Sequence, residues 1–146
     1  MNGTKDIESL LPHRSPFLFV DEVVGAEEKK SVCQKTFNAD EFFFKGHFPG
    51  NPIVPGVIIA EGMGQSGTAG LAAQGRFAKG TEFFLLEMGK VKFLSPVRPG
   101  DTCRYEVEII EMTHKIIRQK GTTYVNDKAV CEGEWVVYYR QPKPAE

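Results

Sequence analysis

The sequence predicts an α+β fold in which one long central helix is wrapped by a curved antiparallel β-sheet. Three observations carry this. Late segments alternate apolar and polar residues with period two, the mark of antiparallel strands with one wet face. A single segment, 57–74, is rich in Ala, Gly, Ile, Met and Leu and has Glu61 as its one ionisable residue. It sits among strands and lacks the polar stripe of a surface helix, so it is expected to be buried almost all round.

Taken in order, Leu10-Leu11-Pro12-His13-Arg14-Ser15-Pro16 reads as an ordered entry loop, because Pro12 and Pro16 oppose a helix. The β-formers of 17–24 predict a strand ending near Gly25, and 31–37 a shorter one. The triplet Phe42-Phe43-Phe44 reads as packing, with the lining of an acyl tunnel as the alternative. Segment 83–94 is apolar on both faces, which predicts a central strand. Pro99-Gly100-Asp101 reads as a turn. In 102–109, Cys103, Tyr105, Val107 and Ile109 share one face, and Arg104, Glu106 and Glu108 the other. Asn126-Asp127 predicts a tight hairpin turn into 128–139. There Ala129, Cys131, Trp135, Val137 and Tyr139 face one way, and Lys128, Glu132 and Glu134 the other. Gly62, Gly64, Gly67 and Gly70 each cost roughly 1 kcal/mol of intrinsic helicity. Close approach of strands to the helix accounts for them, with a hinge as the alternative.

The 146 residues are expected to form a single domain, 1–146, with polar, proline-rich 141–146 as a frayed tail. The net charge of −1 calls for neither nucleic acid nor an anionic membrane. No apolar run reaches the length of about 18 residues that a membrane span needs, and the N-terminus has no signal-peptide core. Cys33, Cys103 and Cys131 are widely spaced and odd in number, which fits reduced thiols and a cytoplasmic location. The three histidines are too far apart along the chain to propose a metal cluster. Gly62, Gly64 and Gly67 spell a dinucleotide-like glycine pattern, but inside the predicted helix, where it carries no such meaning.

The chemistry concentrates in two places. Segment 46–57 sets three prolines and three glycines around His47. Proline locks φ and glycine permits otherwise forbidden angles, so the loop holds its histidine rigidly. Pro55-Gly56-Val57 looks like a helix start, whose free N–H groups can hold a developing oxyanion. Gly56 is the natural donor, because the missing side chain admits a carbonyl. Glu61 is a carboxylate in a buried helix, costly unless hydrogen-bonded, paired or protonated. Gln65, one turn on, is placed to hydrogen-bond it, and a purely structural Glu61–Gln65 pair is the alternative to a site. A base, an acid and an oxyanion donor near one helix point to proton abstraction beside a carbonyl with loss of a leaving group. Ser15 and Ser66 have no neighbouring base, which argues against a serine hydrolase.

Three pieces of the chain carry a resemblance. Leu11-Pro12-His13-Arg14-x-Pro16-Phe17-Leu18, Gly46-His47-Phe48-Pro49-Gly50-x-Pro52-x-x-Pro55-Gly56-Val57 and Glu61-x-Met63-x-Gln65 resemble the FabZ-type (3R)-hydroxyacyl-[acyl-carrier-protein] dehydratases. Lys90-Val91-Lys92-Phe93 and Pro96-Val97-x-Pro99-Gly100-Asp101 are similar to that family's later strand and turn. The resemblance implies a hot-dog fold. It places His47 on the family's catalytic base, Glu61 on its acid, and Gly56, with Val57 beside it, on the backbone donor. Gln65, Phe48, Pro55 and Phe84 fall at supporting or tunnel positions. It implies water loss from a 3-hydroxyacyl thioester to the trans-2-enoyl thioester, in type II fatty acid biosynthesis. No metal or other cofactor is implied, and the substrate comes on the phosphopantetheine of acyl carrier protein. Family members are homodimers that share their active sites across protomers, and often hexamers. Glu rather than Asp at 61 favours the FabZ-like over the FabA-like enzymes.

The chain departs from the family at Ser15 (usually Tyr), Gly62 and Gly64 (usually Ala), Asn51 (often a long side chain) and Phe84, near a gating Tyr. A hot-dog acyl thioesterase and a non-catalytic acyl-binding subunit are the competing readings. Arg76, Lys79, Lys90, Lys92 and Arg98 form either a docking face for an acidic carrier protein or a set of solvated cations.

Overall fold

One helix and seven strands carry the fold of the computed structural model, which describes residues 2–143. The strands are β1 (Asn2–Thr4), β2 (Glu22–Glu27), β3 (Lys30–Thr36), β4 (Glu82–Phe93), β5 (Thr102–Met112), β6 (Ile116–Val125) and β7 (Lys128–Arg140). The helix, α1, spans Gly56–Ala73 between β3 and β4. All pairings are antiparallel, in the order β1-β2-β3-β5-β6-β7-β4. Helix α1 packs on β2, β3, β5, β6 and β7, which is the hot-dog arrangement.

The predicted alternation holds over 102–107 and in part over 128–139, where Val130 and Val136 on the second face are buried as well, and Ile109 and Ala129 are only half-buried. Cys103, Tyr105, Val107, Cys131, Trp135, Val137 and Tyr139 are buried, and the charged partners face outward. Asn126 and Asp127 take φ of 49° and 63°, the left-handed pair that a two-residue hairpin requires. Trp135, Tyr105, Phe19, Phe37 and Met63 are fully enclosed, each contributing roughly 1.5–3 kcal/mol by burial. Phe43 and Phe44 join this core through edge-on ring contacts and serve packing, while Phe42 stays exposed. The three thiols are free and buried, and burial pushes Cys33 and Cys103 up to about 12 and Cys131 up to about 11.

The helix glycines act as contact points. A Cβ on Gly62 would run into the Tyr105 hydroxyl, on Gly67 into the Gln119 amide, and on Gly70 into Ser31. Gly64 faces open space, with only Trp135 Nε1 at 4.0 Å.

Two expectations need correction, and one strand has no sequence signal. Segment 17–24 becomes strand only from Glu22, because the Phe17 carbonyl and both backbone groups of Phe19 bond to side chains, and a bond to β3 begins only at Asp21. Gln65 Oε1 accepts from Phe19 N at 2.8 Å, its Nε2 donates to Phe17 O at 3.2 Å, and Tyr105 Oη donates to Phe19 O at 3.1 Å. Segment 83–94 is not central: β4 is an edge strand, paired only with β7. Strand β6 has no alternating signature because its inward residues Gln119, Gly121 and Thr123 are polar or small. Of the expected frayed tail, Gln141 accepts from Ala78 N at 3.0 Å, and 144–146 lie outside the described residues. No helix among the described residues is long and apolar enough to cross a membrane.

Candidate active site

The loop that carries His47 is fixed at both ends. Upstream, Lys35 of β3 is nearly enclosed, and its Nζ pairs with Glu41 Oε2 at 3.0 Å and Asp21 Oδ1 at 3.6 Å. That latch holds the turn Phe42–Lys45, whose Phe43 carbonyl accepts from His47 N at 3.0 Å. Downstream, Phe48 and Asn51 exchange two backbone bonds around Gly50, whose φ of 73° suits glycine. Val54 N then bonds Val97 O at 2.8 Å, tying the loop to the segment that follows β4. Asn51 Oδ1 also accepts from Arg98 Nη1 at 3.0 Å.

Ile53 holds the histidine on two sides. Its N–H donates to the His47 carbonyl at 2.9 Å, and its carbonyl lies 2.9 Å from His47 Nδ1. A carbonyl only accepts, so Nδ1 carries the hydrogen. In the neutral ring Nε2 therefore keeps a free lone pair, which a general base needs. The ring stacks on Phe48 with centroids 4.0 Å apart.

His47 lines a cavity of about 480 Å³ together with Pro55, Gly56, Val57 and Phe93. Helix α1 begins at this wall. Pro55 supplies the N-cap position, and its carbonyl accepts from Ile58 and Ile59. The Gly56 and Val57 N–H groups have no acceptor among the described residues. They are the free donors of a helix N-terminus, able to hold a carbonyl oxygen that gains charge.

Glu61 stands apart from this cavity in the single chain. Its Oε1 accepts from Gln65 Nε2 at 3.3 Å and lies 4.0 Å from His13 Nε2. Burial raises its carboxyl above the ordinary value, opposed by the Gln65 bond. A carboxyl that burial biases toward its protonated form is suited to give a proton. Gln65 thus does three things: it binds Glu61 and pins both Phe17 and Phe19 of the entry segment to the helix. Only the first of these is legible in the sequence. The approach of His13 to a helix residue 48 positions away has no local signal either.

Of the other expected residues, Phe84 lies on β4, 45% exposed, and lines a separate cavity of about 810 Å³ with Leu10, Pro12 and Phe77. The five basic residues do not share one face. Lys90 and Lys92 line a hollow with Glu106, Glu108, Glu132 and Glu134, Lys79 lines the Phe84 cavity, and Arg98 sits by the His47 loop.

With this geometry in hand, the similarities are specific. Residues 11–134 match the family model of the FabA-like domain. A protein of Caldicellulosiruptor saccharolyticus named 3-hydroxyacyl-[acyl-carrier-protein] dehydratase FabZ is 44% identical over 135 residues, covering 92% of this chain and 96% of that protein. One of the same name from Clostridium kluyveri is 43% identical over 133 residues, covering 90% of this chain and 92% of that protein. A chain of the dehydratase heterocomplex ApeI:P from Xenorhabdus doucetiae superposes with a TM-score of 0.80 at 18% identity, covering 94% of this chain and 91% of that one. At that identity the superposition speaks for the fold alone. Family model and close relatives agree, and the chain belongs to the FabA-like family as a FabZ-type 3-hydroxyacyl-[acyl-carrier-protein] dehydratase.

Proposed function

We propose that this protein removes water from (3R)-3-hydroxyacyl-acyl carrier protein to give the trans-2-enoyl thioester, as a cytoplasmic enzyme of type II fatty acid biosynthesis. His47 Nε2 takes the C2 proton while the Gly56 N–H, with Val57 beside it, holds the thioester oxygen as charge builds there. Glu61 protonates the C3 hydroxyl, which leaves as water. The steps balance without electron transfer: a C–H and a C–O bond break, a C=C forms, and His47 returns its proton to Glu61 through solvent. No cofactor is needed.

The observation that carries this reading is the His47 tautomer, a lone pair held at a cavity wall beside free helix N–H groups. Among the described residues no acid lines the same cavity, and Glu61 is not at its wall. A second copy supplies it in our reading. Among the described residues edge strand β4 has an unpaired side, and its Leu85, Leu86 and Phe93, with Leu94 just beyond, are half exposed or more. An apolar edge of this kind is a pairing surface. We therefore read the enzyme as a homodimer with shared sites, open to further assembly into a hexamer.

The test is absorbance of the conjugated enoyl product from a 3-hydroxyacyl-acyl carrier protein. Turnover by the wild type and its loss in His47→Ala and Glu61→Gln are expected. No turnover at any chain length refutes the dehydratase, and thiol release without enoyl product points to a thioesterase.

A further inference from the structure

The mechanism leaves His13 unused, yet no other side chain outside α1 approaches the Glu61 carboxyl among the described residues. His13 Nε2 faces Oε1 at 4.0 Å, and Gln65 Nε2 donates to that same oxygen at 3.3 Å. No described residue hydrogen-bonds to Oε2. Two nitrogen groups thus converge on one oxygen and leave the other free.

The segment bearing His13 is held for this. Leu11 is buried, and Arg14 donates to the carbonyls of Leu11 at 2.8 Å, His13 at 2.7 Å and Glu8 at 3.1 Å. The ionisable groups around the ring are Glu61 from α1 and, on its own segment, Arg14 and Glu8, which pair with each other at 3.4 Å. His13 Nδ1 is buried with no partner. A hydrogen placed there would be an unpaired buried N–H, which is rarer than an unpaired acceptor. The ring hydrogen is therefore assigned to Nε2, the nitrogen nearer Oε1. Burial also lowers the imidazole's pKa, which keeps the ring neutral.

We propose that His13 is a positioning residue for Glu61: as the neutral Nε2–H tautomer it joins Gln65 on Oε1, so that the transferable proton resides on Oε2. This rests on reading Glu61 as the acid. At 4.0 Å the two groups are beyond hydrogen-bond reach in this structure, and the proposal requires them to close when substrate fills the site, as catalytic hydrogen bonds commonly do.

Two variants and one wild-type measurement test it. His13→Phe keeps a ring and removes both nitrogens, whereas His13→Gln places an amide N–H at the reach of Nε2. Loss of orientation in His13→Phe is expected to lower kcat ~10-fold or more with KM within a factor of about two. His13→Gln is expected to recover most of that. A donor to the carboxylate favours its charged form, so the Glu61 titration midpoint, read by carbon NMR of its carboxyl, rises in His13→Phe and returns in His13→Gln. Nitrogen NMR of the wild-type ring is expected to show the Nε2–H tautomer, which needs no variant to fold. An Nδ1–H tautomer, an unmoved Glu61 midpoint, or His13→Gln as damaged as His13→Phe would each overturn the proposal. A wild type that makes no enoyl product would sink the dehydratase reading instead, while tautomer and titration still judge the His13–Glu61 coupling.

Discussion

Alanine at Gly62 and at Gly64 should move stability in opposite directions, although the two positions lie on the same helix and differ by half a turn. Each substitution gains about 1 kcal/mol of helix propensity. At Gly64 nothing opposes that gain, because the new Cβ meets only Trp135 Nε1 at 4.0 Å. A gain of ~1 kcal/mol corresponds to a rise of about 3–4 °C in Tm for a chain of this size. At Gly62 the Cβ lands on the Tyr105 hydroxyl, which is fully buried and donates to Phe19 O at 3.1 Å. Overpacking costs about 1–3 kcal/mol. Displacing the hydroxyl forfeits a buried hydrogen bond worth ~1 kcal/mol more. The net for Gly62→Ala is a loss of about 1–3 kcal/mol after the propensity gain. Activity should fall too, since Gly62 adjoins Glu61 and Tyr105 holds the Phe19 segment. Calorimetric melting of both variants, with the wild type alongside, is the assay. Equal shifts of the same sign would refute the contact account of these glycines and restore the hinge.

Two further outcomes follow from the site's electrostatics. Folding raises the Glu61 carboxyl, so the stability tied to its protonated form is full below the ordinary value of 4.5 and is lost as pH rises through the folded value. Glu61→Gln should therefore be more stable than wild type at neutral pH and equal to it in acid, by urea titration across pH, while losing ~10²–10⁴-fold in kcat. Lys35→Met should cost ~2–4 kcal/mol in urea unfolding, somewhat under the full value for a broken buried pair because Asp21 is half exposed. The latch it breaks leads to His47, so kcat should fall with it.

Much of this was legible in the chain. The alternating faces of 102–107, in part those of 128–139, and the Asn126-Asp127 turn survive folding because each is decided by local geometry. The helix was legible through its lack of charge, and the site through the proline-glycine loop and the lone Glu61. What was not legible depended on partners remote in sequence. Gln65 replaces a strand for Phe17 and Phe19, so the β-formers there mislead. Polar Gln119 and Thr123 face inward on β6, where Gln119 accepts from Trp135 Nε1 at 2.8 Å, and no alternation survives to mark the strand. The apolar faces of 83–94 suggest a central strand because composition alone does not tell a covered strand from an exposed edge, and Leu85, Leu86 and Phe93 of β4 are half exposed or more.

The central claim is a site that two chains complete, and mixing variants tests it most directly. His47→Ala and Glu61→Gln chains, each inactive alone, are unfolded together, refolded and assayed for enoyl product. In a random mixture half the dimers are hybrids, and each hybrid has one site with both groups intact, so about a quarter of wild-type activity should return. A mixture as inactive as its parts, with hybrid dimers demonstrably formed, would contradict the account.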